Sequence, residues 1–219
     1  MNLLAINGSL RRDSYNGLLL EAAARELPSG VQLEQLGGLA ELPHYDQDLD
    51  AHEPAHPAVR RLRDALRRAD AVLISTPEYN ASLPGALKNA LDWASRPFPD
   101  NCLRGTPVAV VGASTSLFGA VWAQAEARKV LNAIGAAAID LDLPVSRAQE
   151  AFAADGELLD PEHRARLAEI VAALLARVPE DLREARPRLT DEQSAVSELR
   201  RRDGARALSL KRSVTRNAA

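Results

Sequence analysis

The run Ala71-Val72-Leu73-Ile74-Ser75 leaves a chain few ways to fold. It is short, apolar on both faces of any strand it forms, and set behind the polar Arg67-Arg68-Ala69-Asp70. That pattern reads as a strand buried on both sides, the habit of a parallel sheet, so helices must cover it above and below. The run stops at Thr76-Pro77, where proline removes a ladder donor and holds the preceding residue extended. Pro84 then suits the first turn of a helix, with Ser82 expected as its cap and Leu87, Ala90, Leu91 and Ala94 as its apolar stripe. The loop from Pro77 to Ser82 thus falls at the carboxyl end of a buried strand, which is where open α/β sheets bind ligands. Taken alone, the stretch fits a rigid turn equally well.

The rest of the chain supplies the covering elements. Leu3 to Ile6 reads as a first buried strand, feeding through Asn7–Asn16 into a helix with Leu18, Leu19, Ala22, Ala23 and Leu27 apolar. Pro28-Ser29-Gly30 ends that helix, and Val31 to Leu36 alternates as a second strand. A long loop over Gly37–Pro57 precedes a helix whose face is Val59, Leu62, Leu66 and Ala69. Further strands are expected at Val108–Val111 and Ala136–Leu141, with a helix from about Phe118 to Ile134 between them. A last helix opens at Asp160-Pro161-Glu162, with an N-cap, a proline and an acid in its first turn. This alternation implies a five-stranded, doubly wound parallel sheet with helices on both faces. A flavodoxin-like strand order would bring the loops Gly8–Asn16, Pro77–Ser82 and Gly112–Gly119 to one edge.

Bulk properties exclude several functions. The 219 residues carry a net charge of −3, which gives no general attraction to nucleic acid or an anionic membrane. Cys102 is the only cysteine, so no internal disulfide forms, as suits a reducing compartment. The start lacks a basic leader with a long apolar core, and no apolar run reaches the ~20 residues of a membrane span, so a cytoplasmic protein is expected. Residues 1–179 read as one domain. After Pro179 the chain becomes arginine-rich and poor in large apolar residues, and 180–219 is expected to be a flexible, dispensable extension, with a basic contact segment as the alternative.

Gly8-Ser9-Leu10-Arg11-Arg12-Asp13-Ser14-Tyr15-Asn16 carries the most chemistry. It links a strand to a helix, so backbone N–H groups and the helix dipole face any bound anion. Ser9 and Ser14 add hydroxyls, Asn16 an amide, and Arg11 or Arg12 a fork that matches phosphate oxygens. The loop has neither a P-loop lysine nor a Gly-x-Gly-x-x-Gly, so a terminal phosphate monoester suits it better than a triphosphate. A helix capped by Ser14 with both arginines in solvent is the plainer alternative.

Gly8-Ser9-Leu10-Arg11 through Ser14 and Asn16, together with Thr76-Pro77-Glu78-Tyr79-Asn80, resembles the NADPH-dependent FMN reductase family, which includes bacterial quinone and chromate reductases. Leu42-Pro43-His44-Tyr45-Asp46, Pro84 through Trp93 and Asp155-Gly156-Glu157-Leu158 extend the match over residues 2 to 178. The resemblance implies a flavodoxin-like fold, non-covalent FMN, NADPH or NADH as electron donor, a small-molecule acceptor such as a quinone, and a homodimer or homotetramer. By the same resemblance Ser9, Arg11, Ser14, Tyr15 and Asn16 surround the FMN phosphate. Pro77, Glu78, Tyr79, Asn80 and Ala81 line the flavin ring, and Ser114 reaches it from the third loop. No side chain need act as a nucleophile, since the flavin supplies the chemistry. An FMN-binding carrier or regulatory module without turnover is the alternative. One departure stands out: where relatives carry glycines and an arginine after the fourth strand, this chain has Ser116, Ala120 and Trp122, which implies a narrower or more apolar pocket.

Other candidates are weaker. His52 and His56 flank Pro54, which argues against a helix aligning them as ligands, and His44 and His163 lack evident partners. Cys102 has no nearby His or second Cys. Glu78 is expected to position rather than to transfer protons, and Lys88 and Asp92 read as a surface i,i+4 pair. Trp93 and Trp122 are expected in packing or at a subunit interface, with Trp93 the foremost interface candidate.

Overall fold

Strand and helix alternate as the sequence implies. The computed structural model describes residues 1–51 and 55–180, so the expected tail lies outside the described residues, as does His52. Strands β1 (Asn2–Asn7), β2 (Gln32–Leu36), β3 (Ala71–Thr76), β4 (Pro107–Ala113), β5 (Ala137–Ala138) and β6 (Pro144–Val145) form one parallel sheet in the order β2-β1-β3-β4-β5, with β6 also paired to β4. This is the flavodoxin-like order, with its switch point at β1 and β3.

Side chains alternate between two apolar layers, as strand geometry requires. Leu3, Ala5, Leu73 and Val111 face α1 (Tyr15–Arg25) and α6 (Pro161–Ala176). Leu4, Ile6, Val72, Ile74 and Val110 face α3 (Pro57–Arg68), α4 (Gly85–Ala94) and α5 (Val121–Ala133). Every residue of β3 and β4 is buried, which is why both read as unbroken apolar runs. Helix starts are capped by side chains: Ser14 accepts from Asn16 N, Asp160 from Glu162 N, and His56 Nδ1 from Ala58 N at 3.3 Å. Capping accounts for His56 without a metal.

Four expectations change. The fifth strand, expected over Ala136–Leu141, is broken into β5 and β6. Gln124, fully buried on α5, takes the Leu143 N–H on its Oε1 at 3.0 Å, and residues 140–142 leave the ladder, while Ile139 N still donates to Val108 O at 2.9 Å and Leu143 O accepts from Gly112 N at 3.1 Å. Ser82 does not cap α4, whose N-cap is Pro84 without a side-chain bond; the Ser82 hydroxyl turns to α5 instead. The loop Gly37–Pro57 contains a 3₁₀ turn at Leu39–Glu41 and α2 (Gln47–Asp50), the latter capped by Asp46. Trp93 is interior, with 1% of its surface exposed. Its Nε1–H donates to Pro43 O at 2.8 Å, and Asn89 Nδ2 donates to the same oxygen at 2.9 Å. Tyr45 meets the indole edge-on at 5.0 Å. The 42–45 segment thus folds over α4 and covers the ring within one chain, which removes Trp93 from any interface. Among the described residues no helix is long and apolar enough to cross a membrane.

Candidate functional site

Three loops meet at the carboxyl edge of the sheet, because β1, β3 and β4 are neighbours in register there: Asn7 lies beside Ser75, and Thr76 beside Gly112. Gly112 is required at that point, since a Cβ would stand 2.8 Å from Thr76 O and 2.9 Å from Ala120 Cβ. Asn16 fastens the loops together. Its Oδ1 accepts from Ser75 Oγ at 2.8 Å and Ala113 N at 2.9 Å, and its Nδ2 donates to Ala113 O at 2.9 Å. Asn16 is buried, and these bonds satisfy an amide that would otherwise be costly there. Expected as a phosphate donor, its side chain instead holds the start of α1 against β3 and β4. An asparagine in a helix's first turn gives no sequence sign of such a role.

The first loop pairs several backbone donors internally and leaves its guanidinium groups without a carboxylate. Gly8 N donates to Ser75 O at 2.8 Å, Ser9 N to Asn7 Oδ1 at 3.0 Å, and Arg11 N to Ser9 Oγ at 3.3 Å, which fixes the backbone. Ser14 is buried, and its hydroxyl oxygen accepts from Asn16 N. Tyr15 opens α1, so its N–H is one that the helix itself leaves unpaired. No acid lies in the first turn. Arg11 and Arg12 have no carboxylate partner among the described residues, but the two differ: the Arg11 guanidinium rests over the Tyr15 ring at 4.9 Å. Tyr15 in turn stacks on Phe152 with centroids 6.2 Å apart. The loop therefore presents hydroxyl, backbone and guanidinium donors from a rigid base, a set that fits the phosphate monoester of FMN.

The second loop is a strained hairpin. Tyr79 and Ser82 exchange backbone bonds of 3.2 and 3.1 Å, and between them Asn80 and Ala81 have φ of 54° and 56°. Two successive left-handed residues across a bonded pair make a type I′ turn, which costs a non-glycine residue about 1–2 kcal/mol each. Helix α5 holds the turn from both sides. Glu78 Oε2 accepts from Ala123 N at 3.0 Å, and Glu126 Oε2 accepts from Ser82 Oγ at 2.5 Å and Leu83 N at 3.2 Å. The Ser82 and Leu83 donors hold the Glu126 carboxyl below the usual carboxylate range. With its carboxylate on a helix start, Glu78 positions the loop. Pro77 is buried beneath it, while Tyr79, Asn80 and Ala81 are exposed along the rim.

The third loop is tied to β6. Ser114 N donates to Val145 O at 3.0 Å, Ala148 N to Ser114 O at 3.0 Å, and Arg147 N to Ser116 O at 3.1 Å. Ser114 Oγ accepts from Ser116 N at 3.2 Å, closing a small turn. Gly119 (φ 58°) has no room for a side chain, since a Cβ would lie 2.4 Å from the Pro144 carbonyl carbon, and Ala120 (φ 64°) follows it in the left-handed region. Of the departures noted above, Ala120 is buried whereas Ser116 and Trp122 are exposed at the rim. Sequence reasoning missed Phe118, Arg147 and Phe152. Arg147 has φ 44°, so each non-glycine residue with positive φ among the described residues lies at this edge or beside it. Backbone strain of that kind gathers at functional sites and has no signature in residue type.

A sheet of this order, a phosphate-ready first loop and a rigid hairpin beside it agree with the comparisons. The model of the NADPH-dependent FMN reductase family matches residues 1–150. The chain belongs to this family. It is 41% identical over 175 residues to an NAD(P)H-dependent FMN reductase of Pseudomonas aeruginosa, covering 80% of this chain and 93% of the relative. A quinone reductase of Escherichia coli K12 is 37% identical over 131 residues, covering 60% of this chain and 69% of that one. Among solved structures, the flavoenzyme NAD(P)H:(acceptor) oxidoreductase FerB of Paracoccus denitrificans superposes with a TM-score of 0.70 at 37% identity, covering 81% of this chain and 96% of its own. This member of the FMN reductase family is thus of an FMN-binding oxidoreductase kind that works with NAD(P)H and small acceptors.

The remaining candidates are structural. Burial raises the pKa of Cys102, which makes its thiolate less available. His163 Nδ1 lies 3.7 Å from Asp160 Oδ2 within the start of α6. Lys88 and Asp92 form the expected surface pair at 2.6 Å.

Proposed function

We propose that this protein oxidises NADPH or NADH and delivers the electrons, by way of bound FMN, to a small quinone-like acceptor. The carrying observation is the first loop: an Arg11 fork braced on Tyr15, a Ser9 hydroxyl and the open start of α1, whose first turn carries no acid, with Asp13 exposed ahead of the cap. The net reaction is NAD(P)H + H⁺ + quinone → NAD(P)⁺ + hydroquinone. The nicotinamide gives up a hydride, and the quinone gains two electrons and two protons, one proton coming from solvent. Bound FMN supplies a ring that takes up the hydride and passes both electrons on.

The chain's own part is placement. Ser9, Arg11, Ser14 and Tyr15 hold the phosphate end, directly or, for Ser14, by capping the helix that faces it. Pro77, Glu78, Tyr79, Asn80 and Ala81 give a fixed edge for the ring, with Ser114 opposite. The hairpin's bonds to α5 keep that edge from shifting between the two half-reactions, so nicotinamide and acceptor can use the same cleft in turn. A ring held at a sheet edge stays open on one side, and we propose that a second copy of the chain closes it in a homodimer or homotetramer of a cytoplasmic protein.

Purified protein is expected to be yellow, to bleach on anaerobic addition of NADPH, and to oxidise NADPH steadily when a quinone is present. Bleaching without turnover would leave an FMN-binding carrier; a colourless protein that gains no colour with added FMN would remove the flavin reading altogether.

A further inference from the structure

The rim of the third loop is built to display aromatic rings. Phe118 is 58% exposed and Trp122 47% exposed, and their ring centroids lie 4.9 Å apart at 60°. Leu117 beside them is 66% exposed. Exposed aromatic groups gathered at one place mark a contact surface. The backbone beneath is not free to hide them: Gly119 and Ala120 are both left-handed, Gly119 is packed against Pro144, and Val121 N donates to Phe118 O at 3.2 Å. Alanine takes that conformation only against a steric cost, so the turn is maintained by its surroundings.

The location is specific. Trp122 immediately precedes Ala123, whose N–H holds the carboxylate of Glu78 from the hairpin proposed to edge the flavin ring. The rim and that hairpin are therefore one rigid unit. From Gly112 to Ala125 the sequence carries no charged side chain, and the start of α5, which would draw an anion, is already taken by the Glu78 carboxylate; Arg147, whose N–H donates to Ser116 O, is a cation tied to the loop from outside it. A flat ring gains from offset or edge-to-face contact with two exposed aromatic groups, whereas an anion would meet the Glu78 carboxylate there.

From this arrangement we infer that Phe118 and Trp122 form the wall of the acceptor site and select planar, uncharged aromatic acceptors over anionic ones. This rests on the oxidoreductase reading above and sharpens it to a substrate class. Phe118 and Trp122 touch the acceptor; they take no part in electron transfer to the flavin.

The test compares naphthoquinone with naphthoquinone sulfonate, which share a ring and differ in charge, using FMN-loaded wild type, Trp122→Ala, Trp122→Phe, Trp122→Arg and Phe118→Ala. Two quantities are read: KM under NADPH turnover, and the Kd of naphthoquinone for the oxidised holoprotein by equilibrium dialysis. Trp122→Ala is expected to raise both for naphthoquinone about tenfold, while Trp122→Phe stays within about threefold. The rate with ferricyanide at saturating NADPH, which needs no stacking, stays at the wild-type value. Trp122→Arg shifts preference toward the sulfonate. Unchanged naphthoquinone affinity in both alanine variants overturns the inference, as does an equal loss with every acceptor. A change in subunit number by light scattering overturns it too, because the rings would then serve a second copy of the chain. Wild type that binds naphthoquinone without reducing it defeats the proposed function, and the dialysis series still decides the role of the wall.

Discussion

The two tryptophans occupy opposite kinds of surroundings. Around Trp93 polar groups are closely paired: the indole N–H and the Asn89 amide share Pro43 O, and Arg63 donates to Trp93 O at 3.2–3.3 Å while pairing with Asp50 at 2.6 Å. Around Trp122 lie the exposed Phe118 ring, the exposed Leu117 and the left-handed Gly119 and Ala120. The first region holds the chain together; the second gives up stability for an exposed geometry. Residue type does not distinguish them, since both carry tryptophan, and the difference is made by whether another segment folds over the ring.

If that contrast is right, Trp93→Ala should lower stability and nothing else. The expected loss is about 3–5 kcal/mol, the range for deleting a buried large aromatic side chain. Urea unfolding of the FMN-loaded protein gives the loss, and a flavin Kd or subunit number that changes in the still-folded variant would break the contrast. At the rim the effects should fall on ligand rather than fold. Arg11→Ala should weaken FMN binding about 10- to 150-fold, the equivalent of about 1.5–3 kcal/mol, while Arg12→Ala, without the Tyr15 brace, changes little. Fluorescence titration of apoprotein decides this, and equal losses in both variants would refute it.

Strain offers a sharper comparison, because here a substitution should help. Ala81→Gly removes a left-handed penalty of about 1–2 kcal/mol and adds about 0.5–1 kcal/mol of unfolded-chain entropy, so a net gain of about 0.5–1 kcal/mol is expected. A lower urea midpoint would show that the turn is not strained. The smallest effect concerns Glu126. Its folded pKa lies below the free value, so its bonds to Ser82 and Leu83 stabilise the hairpin above the ordinary carboxylate range, and that contribution is lost as pH falls through the lowered pKa. Solvent still reaches and screens this half-buried group, which limits the effect to within about 0.5 kcal/mol. Amide exchange at Leu83 in wild type and Glu126→Gln, followed with pH, should converge in acid; a gap that persists there would rule the carboxylate out.

How much of this was legible follows from what each residue does. The buried runs at Ala71–Ile74 and Val108–Val111 and the Asp160-Pro161 start announced themselves, because burial and capping constrain residue type directly. The broken fifth strand did not, since it depends on one buried glutamine reaching Leu143 from another element. Ser9 and Arg11 stand out by their donors, but Asn16 cannot be told from them, because its partners, the Ser75 hydroxyl and the Ala113 backbone, lie 59 and 97 residues away. Trp93 was misplaced for a related reason: the segment that covers it was read as open loop.

Asn16 is followed by Gly17, and that pair has a bearing on how the protein ages. In a loose chain the glycine nitrogen can attack the neighbouring side-chain amide, expelling ammonia and leaving, after water adds, a carboxylate. Here the amide is held by Ser75 and Ala113, within a helix, and is withdrawn from that reaction. Each spell in the unfolded state reopens it, and the resulting negative charge would have to sit at a buried point facing the Ala113 carbonyl oxygen. Storage near the unfolding temperature should therefore wear the protein out at this position and at Asn7-Gly8, the other Asn-Gly pair, with refolding yield falling in step with ammonia released.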